Sequence, residues 1–466
     1  MVRPPPRAGS LPPRAIMGAW WTLAVLFAIY TFSFVDRLVL TLVVPDIQRS
    51  LNATDTQMGL LLGPAFAIAY AVSGIPFGWA ADRFSRRWVL FFGGLIFALS
   101  TGASAFATGF AVLFILRVGV GIGESAMAPC AYSLLADSFP RNQFTTASAI
   151  YNTAAKVGSS IAYGLGGAVI GLSISYADRL PKHLSSWQYL FLASGSLTLL
   201  ATVMLVTVRE PARSVRATPA EMGQKIFAYL SAERVLYVPL LLGFSTIALC
   251  NYAVSSWTPT YLVRRFGWGP SEFGPILGVI SIGSAMILVL KGLVVDRLYG
   301  RGMIDAHVRF YTWLLVIGLP AAFCAYTIPN RYVFLFLYAG LQLISLPAMI
   351  YMGTTLQLIA PPALRGRVTA AFMFVFTLLG GVFGPPAVGV LTQYVFRDPH
   401  EVGMAITIVL SIGMPVSLIL LRRSLKHIRA AHAAAESIPP HQGVVDADDP
   451  NRGTSASGTL KEDSHP

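Results

Sequence analysis

Long apolar stretches alternate with short polar segments along most of this chain. Twelve of these stretches are long enough to serve as membrane spans, for which an α-helix needs about 20 apolar residues. Because a helix satisfies its backbone hydrogen bonds internally, the pattern predicts an all-α membrane protein. The predicted spans cover residues 17–44, 57–80, 88–107, 110–136, 146–172, 186–208, 236–263, 272–295, 308–328, 332–358, 368–394 and 401–421.

The polar segments divide the chain into two halves of six spans. The longest internal polar segment predicts a cytoplasmic linker over residues 209–235, between an N-terminal bundle, 17–208, and a C-terminal bundle, 236–422. Residues 1–16 are basic and rich in proline, and we interpret them as a cytoplasmic N-terminal segment. Residues 423–466 are predicted to form a disordered cytoplasmic tail, because the polar stretch from about residue 430 has no apolar periodicity.

Composition and charge agree with a membrane protein. Charged residues make up only 12% of the chain and hydrophobic residues 55%, whereas a soluble domain carries about a quarter charged residues. The net charge of +13 would suggest a nucleic-acid partner in a soluble protein. Here about 23 Lys and Arg residues fall on one side of the predicted membrane and about 7 on the other. This asymmetry indicates topology, so we expect cytoplasmic termini and no nucleic-acid partner.

Several function classes are disfavoured by what the sequence lacks. Cys130, Cys250 and Cys324 all fall inside apolar stretches, and their spacing fits neither a disulfide framework nor a zinc site. We find no metal-ligand grouping and no nucleophile triad, so we expect neither a cofactor nor an enzymatic activity. A receptor without transport is also disfavoured because the tail is too short for a folded signalling domain.

A short motif recurs after the second span of each half. Glycine in it allows close helix approach, aspartate can pair with arginine or with a helix N-terminus, and the arginines can latch neighbouring loops. Topogenic charge alone would explain one copy, but the recurrence of both Gly and Asp favours a gating role. The first copy consists of Gly78, Asp82, Arg83, Arg86 and Arg87, and the second of Gly292, Asp296 and Arg297, with Gly300 in the place of Arg86.

Over residues 17–422 the chain resembles the major facilitator superfamily. The first motif copy matches that family's signature loop, and Arg117 with Gly121 matches its fourth-span pattern. The resemblance implies two pseudo-symmetric six-helix bundles, alternating access, and a loop that latches the halves in an outward-facing state. Because the second copy is degraded at Gly300, the two latches are not expected to be equally strong.

Five ionisable residues lie within the first, fourth and fifth spans, and charges at that depth are functional by default. From the rise of 1.5 Å per residue, Asp36, Arg37 and Arg117 are predicted roughly 8–9 Å outside the bilayer centre. Glu124 and Lys156 are predicted at the centre. An anion that draws a cation away from Asp36 or Glu124 would favour proton uptake there, so we predict both as proton-coupling residues. Static ion pairs that hold the N-terminal half together are the alternative interpretation.

The C-terminal half carries fewer polar residues at mid-span. We predict Asn251 and Tyr351 as substrate contacts, beside Arg37, Arg117 and Lys156 in the other half. Ordinary interhelical hydrogen bonds would explain Asn251 and Tyr351 equally well.

Within the superfamily, the stretch from Arg117 to Ser125 and the Asp36-Arg37 pair resemble the Spinster group. That resemblance implies proton-linked movement of lysophospholipids or sphingosine phosphate, with the proton on Asp36 and Glu124 and the head group on Arg117. Lys156 departs from the group, in which proline tends to stand there, and an extra cation indicates a smaller or more acidic cargo.

The leading hypothesis is therefore a proton-coupled transporter of an organic or amphipathic anion, such as a lysophospholipid. A sugar-acid:proton symporter and a drug:proton antiporter remain the alternatives. We expect a monomer whose partners are the small-molecule or lysolipid substrate, protons and the lipid bilayer, most simply the bacterial inner membrane.

Overall fold

The computed structural model describes residues 13–175, 184–211, 229–345, 348–360 and 364–436. All regular structure in these ranges is helical. Two six-span bundles account for it, numbered here as spans 1 to 12 in the predicted order. The N-terminal bundle contains Pro13–Leu42 (span 1), Asp55–Leu62 and Pro64–Arg83 (span 2), Arg86–Ser104 (span 3), Phe110–Glu124 and Met127–Ser138 (span 4), Arg141–Ser175 (span 5) and Ser186–Met204 (span 6).

The C-terminal bundle repeats this arrangement. Its helices are Arg234–Phe266 (span 7), Pro270–Gly300 (span 8), Ala306–Cys324 (span 9), Arg331–Gly340 and Met349–Ile359 (span 10), Arg365–Val390 (span 11) and Val402–Glu436 (span 12). Within the described ranges, 11 segments are long and apolar enough to cross a membrane, and the two shorter helices of span 10 supply the twelfth crossing. The predicted fold class is thereby confirmed.

Span 10 differs from the continuous helix predicted over 332–358. Its first helix passes into a π-helical turn, Leu341–Ser345, before Met349–Ile359 begins. The Leu343 carbonyl in that turn accepts a hydrogen bond from Lys291 Nζ at 2.8 Å, and the Gln342 side chain donates to Tyr338 at 3.1 Å. Side chains that insert into a helix ladder in this way are a regular cause of π-turns and kinks.

The ends of the bundles also differ from the predicted boundaries. Span 1 begins at Pro13 and ends at Leu42, after which Val44–Leu51 forms a separate short helix with Pro45 in its first turn. Span 12 continues to Glu436, beyond the boundary predicted at 422. The remainder of the predicted tail, most of the linker and residues 1–12 lie outside the described ranges.

The two bundles pack closely at one end, the outer end in the orientation that the charges predict. A Cβ added to Gly59 of span 2 would lie 2.8 Å from Pro386 Cα of span 11. At Gly63 a Cβ would overlap the Gly381 carbonyl oxygen, and at Gly167 of span 5 it would overlap that of Pro270. Glycine allows this backbone contact because any side chain would hold the helices apart.

A polar cluster reinforces the same end. Arg264 of span 7 binds Asp55 of span 2 through two hydrogen bonds, Nη2 to Oδ1 at 2.5 Å and Nη1 to Oδ2 at 3.1 Å. Gln48 accepts from Arg264 at 2.8 Å and donates to Asp55 at 2.8 Å. We call Gln48, Asp55 and Arg264 the outer clasp. The outer clasp joins the two bundles, because Arg264 belongs to the C-terminal half and the other two residues belong to the N-terminal half.

At the other end, the cytoplasmic end in the orientation that the charges predict, the interface glycines are not in close contact with the opposite bundle. Span 2 contacts span 11 at Gly59 and Gly63, but no described atom lies within 4 Å of a Cβ added to Gly74 or Gly78 further along it. The same holds for Gly292 at the corresponding place in span 8. In the orientation that the charges predict, close contact at the outer end and open space at these glycines correspond to an inward-open arrangement of the two bundles.

Candidate functional site

Two ion pairs with buried carboxylates lie within the N-terminal bundle. In the first, Arg117 Nη1 of span 4 donates to Asp36 Oδ2 of span 1 at 2.6 Å. Thr101 of span 3 donates its hydroxyl to the other carboxylate oxygen at 2.9 Å. The Asp36 and Arg117 side chains are 0% and 2% exposed, so this pair is sealed among three spans.

The second pair joins Arg37 to Glu124. Arg37 Nη2 forms a close ion pair with Glu124 Oε1, and Arg37 Nε lies 3.3 Å from Oε2. Ser33, one turn earlier in span 1, donates its hydroxyl to Glu124 Oε1 at 2.6 Å. The carboxylate of Glu124 therefore has both oxygens occupied, as a charged group needs in apolar surroundings.

The two members of the second pair differ in exposure. The Arg37 side chain is 22% exposed, whereas Glu124 is 2% exposed. The Arg37 guanidinium lies 4.4 Å from the centre of the Phe66 ring and 5.0 Å from that of Phe34. Ala67 of span 2, next to Phe66, and Tyr252 of span 7 both lie within 4 Å of a Cβ added to Gly381 of span 11, so the two bundles meet beside these aromatic residues. Arg37 is thus the more exposed charged group of the pair, and it lies near the boundary between the bundles.

Depth alone does not predict the pairing. It places the backbone of Arg37 level with Asp36 and Arg117, and Glu124 level with Lys156, whereas the structure pairs Arg37 with Glu124. Consecutive helical residues point about 100° apart, so Asp36 and Arg37 face different neighbours. The Arg37 side chain leans toward the N-terminus of its helix, which brings its head group down to the level of Glu124.

The remaining predicted contacts lie apart from the two pairs. Asn251 accepts a hydrogen bond from Ser255 at 3.3 Å within span 7. Tyr351 is 2% exposed and stacks on Tyr311 of span 9 with ring centres 5.0 Å apart, inside the C-terminal bundle. Its hydroxyl has no hydrogen-bond partner among the described residues. Lys156 is half-buried in span 5, outside both pairs.

The loop motif is anchored within the N-terminal half. Arg86, 1% exposed, forms ion pairs with Asp137 and with Glu210, the latter at 2.9 Å from Nε to Oε1. Arg87 donates to the Val208 carbonyl at 2.9 Å, and the Arg83 guanidinium lies 4.5 Å from the Trp79 ring centre. The sequence motif does not predict Asp137 and Glu210 as members of this network, although acidic residues at the ends of spans 4 and 6 are an available signal.

The network shifts the ionisation of Glu210. Partial burial raises the pKa of its carboxyl, but hydrogen bonds from the Arg86 side chain, the Arg86 and Arg87 backbones and Ser85 outweigh burial, so the pKa is lowered overall. The charged form of Glu210 is therefore the one that stabilises the fold near neutral pH.

A family model of the Major Facilitator Superfamily matches residues 26–385. The chain belongs to this superfamily. Its fold and its relatives are those of membrane transporters, which confirms the resemblance found in the sequence.

Among the relatives is a spinster homolog 1 of Xenopus laevis, 25% identical over 427 residues, or 86% of this chain and 76% of that protein. An MFS-type efflux pump of Mycolicibacterium smegmatis is 26% identical and covers 82% of this chain and 86% of its own length. A hexuronate transporter of Bacillus subtilis is 27% identical over 59% of this chain and 64% of its own. The relatives thus include spinster proteins, an efflux pump and a sugar-acid carrier.

The fold matches solved structures as well. A bacterial homolog of the human lysosomal transporter Spinster, in an inward-facing and unoccupied conformation, superposes with a TM-score of 0.73 at 23% identity. The match covers 92% of this chain and 98% of that one. It shows that this transporter has the two-bundle fold of that structure.

Proposed function

We propose that this protein is a proton-coupled secondary transporter that moves an organic or amphipathic anion across the bacterial inner membrane by alternating access. The observation that carries the proposal is the unequal exposure of one ion pair. The Arg37 side chain is 22% exposed, while that of its partner Glu124 is 2% exposed. In our proposal the exposed part of Arg37 faces the path of the cargo between the bundles. Cargo can therefore reach the cation, Arg37, but it cannot reach the carboxylate of Glu124 that this cation neutralises.

This arrangement couples anion binding to proton uptake, because the anion and the Glu124 carboxylate share Arg37 as their partner. An incoming anion competes with Glu124 for the Arg37 guanidinium. Once Arg37 turns toward cargo, Glu124 keeps only the Ser33 hydroxyl as a donor among its present partners. A carboxylate in apolar surroundings that loses its cation is more stable protonated than charged. Anion binding and proton uptake at Glu124 therefore favour each other.

Asp36 is proposed as the second proton site, with Arg117 as its counter-ion. Both side chains are sealed by neighbouring spans, so Arg117 cannot meet a head group in the inward-open conformation. The sequence resemblance assigns the anionic head group to Arg117. In our proposal Arg37 makes this direct contact instead. The Asp36–Arg117 pair acts behind it, holding span 1 against span 4.

The loop motif is proposed to control the cytoplasmic closure. In the inward-open conformation, a Cβ added to Gly78 of the first copy or to Gly292 of the second would have no neighbour within 4 Å among the described atoms. Closing the cytoplasmic end would bring these glycines against the opposite bundle. Asp82, Arg83, Arg86 and Arg87, with Asp296 and Arg297 in the second copy, would then latch the bundles in the outward-facing state.

Two cargo classes are consistent with a cationic contact at Arg37. A lysophospholipid-like anion is favoured by the spinster relatives, and a sugar acid by the hexuronate transporter and by a probable galactarate/D-glucarate transporter, 26% identical. The efflux-pump relative favours a drug:proton antiporter instead. The sign of the proton gradient that drives uptake distinguishes symport from antiport.

The test is uptake into proteoliposomes under an imposed pH gradient, with lysolipids and sugar acids screened side by side. We expect Glu124→Gln to bind and exchange cargo but to lose the response to the gradient, because glutamine cannot take up the proton. Arg37→Ala should lose cargo binding. Arg49→Ala is the matched control, because Arg49 is an arginine with a side chain 74% exposed, away from both pairs. Gradient-driven transport that survives unchanged in Glu124→Gln would remove the proposed coupling.

A further inference from the structure

Aromatic side chains surround the Arg37 guanidinium and continue from it along spans 1 and 2. The guanidinium lies 4.4 Å from the centre of the Phe66 ring, 5.0 Å from that of Phe34 and 5.8 Å from that of Tyr70. Tyr30, one turn before Phe34 in span 1, has its ring centre 5.3 Å from that of Phe34. In the proposed mechanism these rings have no part in recognising cargo, although they border the cation that binds it.

Contacts with further rings hold Tyr30 and Tyr70 in place. Tyr30 stacks on Tyr151 of span 5, with ring centres 4.7 Å apart and ring planes 14° from parallel. Tyr151 in turn makes an edge contact with Tyr132 of span 4 at 5.6 Å. Tyr70 stacks on Phe66 with ring centres 5.5 Å apart. The packing of each ring therefore limits where its hydroxyl group can lie.

Three tyrosine hydroxyls of this region are available for a partner. Tyr30 and Tyr70 are partly exposed, and their hydroxyl groups form no hydrogen bond with any described residue. Tyr252 of span 7 shares both properties. Tyr132 differs, because its hydroxyl donates to Asn152 at 3.0 Å. A phenol hydroxyl within a membrane span is costly unless it is hydrogen-bonded, so Tyr30, Tyr70 and Tyr252 need water or cargo as partners.

Tyr70 and Tyr252 lie where the two bundles meet. Ala67, Tyr70 and Gly74 recur at intervals of three and four, which places them on one face of span 2. A Cβ added to Gly381 of span 11 would lie 2.9 Å from Ala67 Cβ and 3.8 Å from the Tyr252 ring. One added to Gly74 would have no described neighbour within 4 Å. Tyr70 thus lies between a close contact of the bundles and the part of span 2 that is not in contact.

We propose that Tyr30, Tyr70 and Tyr252, together called the tyrosine site, bind hydroxyl groups of the cargo, and that the cargo is a sugar acid. This inference rests on the proposed function, in which Arg37 binds the carboxylate. Seven residues separate Tyr30 from Arg37 in span 1, which is roughly 10 Å along the helix. This distance is comparable with the length of a six-carbon sugar acid plus one hydrogen bond. A sugar acid held at Arg37 by its carboxylate places its hydroxyls among these rings.

The tyrosine site discriminates against a lysolipid chain. Closing the cytoplasmic end removes water from the hydroxyls, and an alkyl chain supplies no hydrogen bond in its place. A sugar hydroxyl both donates and accepts, as a tyrosine hydroxyl does. A site built to bind hydroxyls rejects an analogue without them strongly, because its own polar groups are then left unpaired.

Binding to the purified full-length protein tests the proposal with D-glucuronate and cyclohexanecarboxylate. The two probes share a six-membered ring and one negative charge, but only glucuronate has hydroxyls. We expect the wild-type protein to bind glucuronate at least about tenfold more tightly. Tyr30→Phe, Tyr70→Phe and Tyr252→Phe keep the ring and lose the hydroxyl. Each should weaken glucuronate about three- to tenfold and leave cyclohexanecarboxylate unchanged. Tyr394→Phe is the matched control, because Tyr394 follows span 11 at the outer end and is 61% exposed.

The same variants separate this proposal from the proposed function. Arg37→Ala should weaken both probes alike, because both carry the carboxylate. If the tyrosine variants lose the preference for glucuronate but Arg37→Ala binds normally, the tyrosine site stands and the role of Arg37 is wrong. If Arg37→Ala loses both probes but all three tyrosine variants behave like wild type, the anion site stands and the tyrosine site is wrong. A wild-type protein that does not bind glucuronate more tightly than cyclohexanecarboxylate, or that binds lysophosphatidate more tightly than glucuronate, would also overturn the proposal.

Discussion

The outer clasp should determine how often this transporter opens to the outside. Arg264 and Asp55 are 12% and 6% exposed and joined by two hydrogen bonds, and Gln48 bonds to both. Opening the outer end must break these contacts, because Arg264 moves with the C-terminal bundle. The variant Arg264→Gln removes the charge and the paired geometry, so it should favour the outward-facing state.

The size of the shift follows from the strength of such contacts. A hydrogen bond between charged groups contributes about 1.5–3 kcal/mol, and both groups recover hydration when the clasp opens. We therefore take ~2–3 kcal/mol for the complete pair. A change of this size multiplies the ratio of outward-facing to inward-open protein by about 30 to 150.

Distances between spin labels on the outer ends of the two bundles measure this ratio. Exposed Arg49 and Arg331 can carry the labels once the three cysteines have been replaced. Arg264→Gln should increase the population at the longer distance. Arg265→Gln is the matched control, because Arg265 is the adjacent arginine and is exposed. An unchanged distance distribution in Arg264→Gln, or an equal change in both variants, would refute the role of the clasp.

Three further variants test other parts of the account. Glu210→Gln should lower the free energy of unfolding at pH 7 by about 1 kcal/mol, which a lower melting temperature would report. The expected loss is this small because the contact with Arg86 is partly exposed. Because folding lowers the pKa of Glu210, the difference from wild type should be full above the ordinary value of 4.5 and fade as pH falls through the lowered value. Gly63→Val should reduce transport and separate the outer ends, since a Cβ at Gly63 would overlap the Gly381 carbonyl, as the same spin labels would report. Tyr351→Phe should leave cargo affinity in the uptake assay unchanged, because its hydroxyl is buried in the C-terminal bundle without a described partner.

The fold could be predicted from the sequence because the length of an apolar stretch is set by the bilayer itself. The interruption of span 10 could not. It accompanies the contact between Lys291 and the Leu343 carbonyl, which are 52 residues apart in the chain. A hydropathy pattern indicates whether each stretch lies in apolar or polar surroundings. It does not indicate which distant side chain donates a hydrogen bond to a given backbone carbonyl.

The candidate site, like the fold, could be predicted from the sequence only in part. The charges of Asp36, Arg37, Arg117 and Glu124 can be recognised in the sequence because their burial is costly, whatever their partners are. The pairing of Arg37 with Glu124 depends on side-chain direction, which depth estimates omit. The outer clasp could not be predicted because Asp55 and Arg264 are 209 residues apart in the chain. Both also lie at the ends of spans, where a charged residue does not by itself indicate a contact.

The central claim is that Arg37 keeps Glu124 charged until cargo takes Arg37 away. Infrared difference spectroscopy of the purified protein at pH 7 tests it without any cargo, by comparing Arg37→Ala with wild type. We predict that Arg37→Ala gains the carbonyl band of a protonated carboxyl group and that the double variant Arg37→Ala/Glu124→Gln lacks it. A Glu124 that stays charged without Arg37, or one that is already protonated beside it, would contradict the coupling mechanism.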